Sequence, residues 1–171
     1  FSAVGGQETA GLGVAANILQ TNKWVHIAAV VSGGMRLYAD GVLFGTNPRG
    51  TLSFLQGDSE NQLGARANGT FSFKGQMDEV RLWRVVRTEA QIRENMFREL
   101  TGTEAGLAGL WNFNDPSQPW KDSSPNGHHG TLMGQAAAVV ATLPVSLGND
   151  PFVYVHVRIT DAAGLIVTNV T

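Results

Sequence analysis

The sequence predicts an all-β protein, an antiparallel β-sandwich with one short α-helix near residues 88–100. Three observations carry that expectation. Apolar residues alternate with a period of two in many short runs, as half-buried strands require. Gly-, Asn- and Asp-rich turns punctuate the runs at short intervals, and 21 of the 171 residues are glycine. Only past Thr88 does the period lengthen, with Ile92, Met96 and Leu100 recurring every fourth residue on one helical face. Many short strands with a single helix make two packed sheets.

Taken in order, residues 1–22 are rich in Gly and Ala and give the end of one strand, a loop and a second strand near 12–18. Residues 24–31 (WVHIAAVV) are apolar on both faces, which predicts a strand covered on both sides. Ser32-Gly33-Gly34 supplies a two-residue hairpin turn, 35–39 the return strand, Asp40-Gly41 a second hairpin turn and 42–45 a third strand. Short strands follow at 51–55, 62–65 and 71–74, with a polar loop at 57–61 and a turn at Asn68-Gly69. Residues 77–84 alternate, so Asp78, Val80 and Leu82 share a face that reads as buried and Met77, Glu79, Arg81 and Trp83 the other. This strand feeds the helix, where Thr88 and Gln91 have capping-box spacing and Gly102 is placed to stop it. Residues 107–114 alternate again, 122–130 are dense in Asp, Ser, Pro, Asn and Gly turn formers, and 131–133 form a short strand. The expected organisation is one domain over 1–135, a linker over 136–150, and a β-hairpin over 151–171 that starts an immunoglobulin-like domain.

Composition excludes several functions. Net charge is −2 and no basic run serves nucleic acid. No window is long and apolar enough for membrane insertion. Cysteine is absent, so disulfides, thiolate metal sites and Cys nucleophiles are excluded. Glycoside hydrolysis needs two carboxylates on one face, about 5 Å apart in a retaining enzyme. Asp78 and Glu79 are adjacent in a strand and face opposite ways. No nucleophile-elbow pattern appears, and the Gly-Gly pairs precede no helix that would cradle phosphate. The sequence therefore reads as non-catalytic.

Several stretches, in this order along the chain, resemble one family. They are Trp24-Val25-His26-Ile27-Ala28, Leu37-Tyr38-Ala39-Asp40-Gly41 and Leu63-Gly64, then 73–83 (FKGQMDEVRLW) and 88–92 (TEAQI). Next come 106–113 (GLAGLWNF) and Asp122-Ser123-Ser124-Pro125-Asn126-Gly127-His128-His129-Gly130-Thr131-Leu132. Together, over roughly 20–133, they resemble the laminin-G-like, concanavalin A-like jelly-roll modules of large extracellular proteins, of the bacterial LamG-like type. The first strands of such a module are missing from the pattern. The resemblance implies two sheets packed face to face and a secreted or cell-surface module that binds glycan or extracellular protein, often with a structural calcium. Pentraxins share the fold, but residues 65–70 (ARANGT) lack the acidic ligands a pentraxin site would need.

Under that resemblance Asp78 is the expected calcium ligand, joined by Asp122 and Asn126, since calcium takes hard oxygen donors. The alternative is that Asp78 accepts backbone N–H groups and that Asp122 and Asn126 only shape their turn. Asp58 and Glu60 read as a solvated loop. His128 and His129 are adjacent, which is poor chelation, and read as surface side chains. Trp83 and Trp111 alternate into the core, whereas Trp120, between Pro119 and Lys121 in a loop, is the aromatic best placed to stack on a sugar. The Asn68 and Asn169 sequons carry little weight. Two functions follow: a binding module for carbohydrate or matrix protein, and, alternatively, a structural subunit of a fibre or adhesin whose neighbours exchange strands at its sheet edges.

Overall fold

The computed structural model of the chain describes residues 2–5, 8–11, 18–19, 21–48, 61–65, 72–139 and 157–159. The strand expected at 51–55, Asp58 and Glu60, the Asn68-Gly69 turn, both sequons and the 161–170 arm of the last hairpin lie outside the described residues. What is described is mostly strand, in antiparallel sheets with one short helix, as the sequence predicts.

The chain opens on a hairpin of β1 (Ser2–Gly5) and β2 (Glu8–Gly11), and the strand expected near 12–18 lies, but for residue 18, outside the described residues. A three-stranded meander follows: β3 (Ile27–Val31), β4 (Met35–Ala39) and β5 (Val42–Asn47), with β4 central. Ala39 pairs with Val42, and Asp40 and Gly41 between them have φ of 47° and 72°. Two successive positive φ values define the tight turn that Asp-Gly favours. The Asp40 carboxylate then accepts the His26 N–H at 2.9 Å while the Asp40 N–H donates to His26 O at 2.9 Å. The β3–β4 connection holds three residues, Ser32 to Gly34, rather than two. β3 is covered on one face only, because Val30 is buried while Ile27 and Ala29 are exposed.

The expected strand over 77–84 is broken. Glu79 has φ of 50°, which no strand residue adopts, and it separates β6 (Gly75–Met77) from β7 (Val80–Trp83). The buried face is also the other one. Leu82 is 55% exposed, whereas the Glu79 and Arg81 side chains are tucked in as an ion pair at 2.9 Å. Residues 62–65 and 71–74 do not form the short strands expected where they are described. Gly64 bends the chain at φ of 79°, and its carbonyl accepts the Phe73 N–H at 2.6 Å. Nor are residues 131–133 a strand; they run exposed and without ladder partners among the described residues.

Helix α1 (Glu89–Asn95) begins as predicted. Thr88 Oγ1 accepts the Gln91 N–H and Gln91 Oε1 accepts the Thr88 N–H, a complete capping box. It ends well before Gly102. The Asn95 amide folds back to Gln91 O at 2.8 Å, and Arg81 reaches across from β7 to donate to Asn95 O at 2.6 Å and to Arg98 O. A cation supplied by another strand thus takes carbonyls that a longer helix would use itself. Ile92 packs on Val30 and Tyr38, and Arg93 Nε donates to Gly41 O at 2.8 Å, seating the helix on the meander's turn. A second core joins Leu100, Leu107 and Leu110 to Trp83, where β7 pairs with β8 (Leu107–Trp111). β9 (Val157–Ile159) lies antiparallel to β6, with Gly75 opposite Ile159 and Met77 opposite Val157. The 151–171 stretch expected to begin another domain therefore places one strand beside this module.

Candidate functional site

β8 uses one edge for β7. Its other edge meets the loop that begins at Asp115. Two short turns open this loop, with Gln118 N donating to Asp115 O and Lys121 N to Gln118 O. Asp115 Oδ1 accepts the Ser117 hydroxyl at 2.6 Å and its N–H at 2.9 Å, which together hold its carboxyl below the ordinary range. Pro119 is buried and Trp120 stands 39% exposed beside it. Gly130 N donates to Trp120 O at 2.8 Å and Asp122 N to His129 Nδ1 at 3.1 Å, so 120–122 and 128–130 lie side by side. That bond leaves the proton of a neutral His129 on Nε2.

Asp122 is the centre. It is 2% exposed, and each carboxylate oxygen takes two donors. Oδ1 accepts Leu110 N at 2.9 Å and Ser124 N at 2.8 Å; Oδ2 accepts Ser124 Oγ and His128 N, both at 2.9 Å. Burial works to raise this carboxyl's pKa, but the donors outweigh it and hold it below the ordinary range. Asn126 Nδ2 donates to Ala108 O at 3.1 Å and to Leu107 O at 3.4 Å. Ser123 N donates to Leu110 O at 2.7 Å, and Trp111 Nε1 to His128 O at 3.1 Å.

Sequence reasoning groups Asp78, Asp122 and Asn126 as oxygen ligands for calcium. Asp122 and Asn126 do meet, through Ser124. Their chemistry does not fit a cation, however. A carboxylate offers about four lone-pair sites, and all four point at N–H or O–H groups. Asn126 presents its NH₂ end, not its oxygen, to the strand. Asp78 has its own neighbourhood, where Oδ1 accepts the Glu79 N–H at 2.8 Å. Among the described residues no three His, Asp or Glu side chains group so as to hold a metal. The parts that Ser124, His129 and Trp111 play here are not visible in the sequence. The Asp122-x-Ser124 spacing, which suits an Asp side chain bonding two residues on, is the available signal.

The second cluster surrounds Arg81. His26 is buried next to it, and burial first and the guanidinium second push its pKa down to about 4, against the pull of Asp40. Asp78 moves the other way, up to about 6, through burial and the charges of Glu79 and Glu99, opposed by its bond from Glu79 N and by Arg81. Burial likewise raises Glu79, against its bond to Arg81. The native state therefore refuses a proton at His26 that the unfolded chain accepts below about pH 6.5. Stability from His26 is full above that pH and is lost as pH falls towards 4, at most about 3 kcal/mol. Asp78 acts with opposite sign, since stability is lost as pH rises from about 4 through 6. In melting temperature against pH, His26→Gln is expected to flatten the acid side, and Asp78→Asn to remove the loss towards neutral pH.

The model of the concanavalin A-like lectin/glucanases superfamily matches residues 1–93, which takes in the opening hairpin, the meander, the β6–β7 break and most of α1. No curated protein and no solved structure matches the chain. The match spans more than half of the 171 residues, and its antiparallel strands with one helix are the architecture found here. The chain is a laminin-G-like member of the concanavalin A-like lectin/glucanases superfamily.

Proposed function

We propose that this chain is a non-catalytic, secreted or cell-surface module that binds carbohydrate, with Trp120 as the surface on which a sugar ring stacks. Family membership supports the coarser statement, a carbohydrate- or protein-binding module. No helix among the described residues is long and apolar enough to cross a membrane. The observation that carries the finer reading is the placement of Trp120. A large aromatic ring stands exposed, on a loop whose backbone is tied at Trp120 O and backed by buried Pro119 and Asp122. Exposed aromatics on rigid supports give contact area at little entropic cost. A non-catalytic role accords with the carboxylates described: Glu79 is held by Arg81 and Asp122 by four donors. On a glycan array, the Trp120→Ala chain is expected to lose at least about tenfold in affinity, the scale of one stacked aromatic. Because part of the Trp120 side chain is covered, its melting temperature should fall by a few degrees while its circular dichroism shows the fold retained. Retained binding sinks this reading.

The alternative, a fibre or adhesin subunit joined by strand exchange, draws on β5. Val42, Leu43 and Phe44 are all exposed there, on a strand that is an edge among the described residues. Concentration-dependent polymerisation in light scattering, with no glycan bound, supports it over the first.

A further inference from the structure

We propose that the 122–130 loop is a metal-free clasp that seals the outer edge of β8, with the Asp122 carboxylate doing by hydrogen bonds what the resemblance assigns to a cation.

An exposed strand edge leaves N–H and C=O groups that must find partners or invite another strand. β8 gives one edge to β7 through the register Val80 opposite Trp111, Arg81 opposite Leu110 and Leu82 opposite Gly109. On the other side no strand pairs with it among the described residues. The loop supplies the missing ladder piecemeal. Leu110 N goes to Asp122 Oδ1, Leu110 O to Ser123 N, and the Leu107 and Ala108 carbonyls to Asn126 Nδ2. The edge is thus closed by two side chains and one amide.

The same contacts leave no room for a cation. The groups around Asp122 present three backbone N–H groups and one hydroxyl, so their positive dipole ends converge on the carboxylate. A calcium ion there would have to expel these donors and would face their N–H groups. It would also lose the Leu107 and Ala108 carbonyls, which the Asn126 amide has taken. The negative charge of Asp122 is stabilised by neutral dipoles of the chain itself. The consequence for binding is that Trp120 is presented with no metal required, since 120–122 is pinned to 128–130 by the clasp itself.

The test uses the full chain, with melting temperature read in excess EDTA and in millimolar calcium, and calcium binding followed by calorimetry. The expected result is no difference between the two melts and no heat that Asp122→Asn removes. Asn126→Asp separates the two cases. If a cation sits there, the added carboxylate strengthens calcium binding and raises the melting temperature in calcium. In a metal-free clasp it turns an acceptor towards two carbonyls and lowers the melting temperature by several degrees, on the order of 5 °C, equally in EDTA and calcium. Should Asn126→Asp fail to fold, Ser124→Ala removes one of the four donors and leaves the rest. Its melt is expected to fall by a few degrees, about 3 °C, with no calcium dependence. A calcium-dependent rise in melting temperature that Ser124→Ala or Asn126→Asp enlarges overturns the proposal, as does calcium binding that Asp122→Asn abolishes.

Discussion

Gly102→Ala is expected to destabilise the fold by about 3 kcal/mol, a fall in melting temperature on the order of 10 °C. Gly102 has φ of 91°, a region L-residues rarely adopt. More important is what its missing side chain leaves room for. A Cβ there would overlap Ser123 O and come within 3.1 Å of the Ser123 carbonyl carbon. These are backbone atoms of the clasp, and they cannot rotate away as a flexible side chain would. Ser123 N and Oγ are themselves committed, to Leu110 O and Asn112 Oδ1. Gly127 is the control. It too has positive φ, 67°, but a Cβ added there meets nothing within 4 Å. Gly127→Ala should therefore cost only the backbone term, about 1 kcal/mol. Urea denaturation of the two variants separates close packing from backbone strain, and equal losses would show that the contact with Ser123 matters little.

Asp122→Ala is expected to cost about 3–5 kcal/mol, because one truncation orphans several donors at once. Leu110 N and Ser124 N are buried, and each buried N–H left without a partner costs about 1–3 kcal/mol. His128 N lies nearer water and recovers part of its loss. The pKa direction adds a pH signature. A carboxyl held below its ordinary value contributes stability that is present above the unfolded pKa, near 4, and is lost as pH falls through the lower folded value. Wild type should therefore lose this contribution progressively below about pH 4, and Asp122→Ala should lack that acid-side loss. A variant that unfolds in urea at the wild-type midpoint would remove Asp122 from the centre of the site.

What the sequence made legible was local. The Asp40-Gly41 turn, the strands on either side of it and the Thr88–Gln91 capping box each depend on residues within a few positions, and they stand as read. What it hid was long-range. α1 stops at Asn95 because Arg81, fourteen residues earlier, takes the carbonyl, and no periodicity within the helix reports that. The break at Glu79 is a backbone conformation forced where the chain passes from β6 to β7, and alternation runs straight across it. The acidic, amide-rich 122–130 loop offers oxygens that look like cation ligands. Only the fold shows that Leu110 N, twelve residues away, points at one of them. Trp120 was legible as a loop aromatic from Pro119 and Lys121 alone, whereas its support through Gly130 was not.

The Asp122 carboxylate holds the loop that carries Trp120, and residue-resolved amide hydrogen exchange tests this most directly. Leu110, Ser124 and His128 should exchange as slowly as the paired amides of β8 in the wild-type chain, and Asp122→Ala, which removes both acceptor oxygens, should accelerate all three. Exchange of those three amides at the rate of open loop residues in the wild type would contradict this role for Asp122.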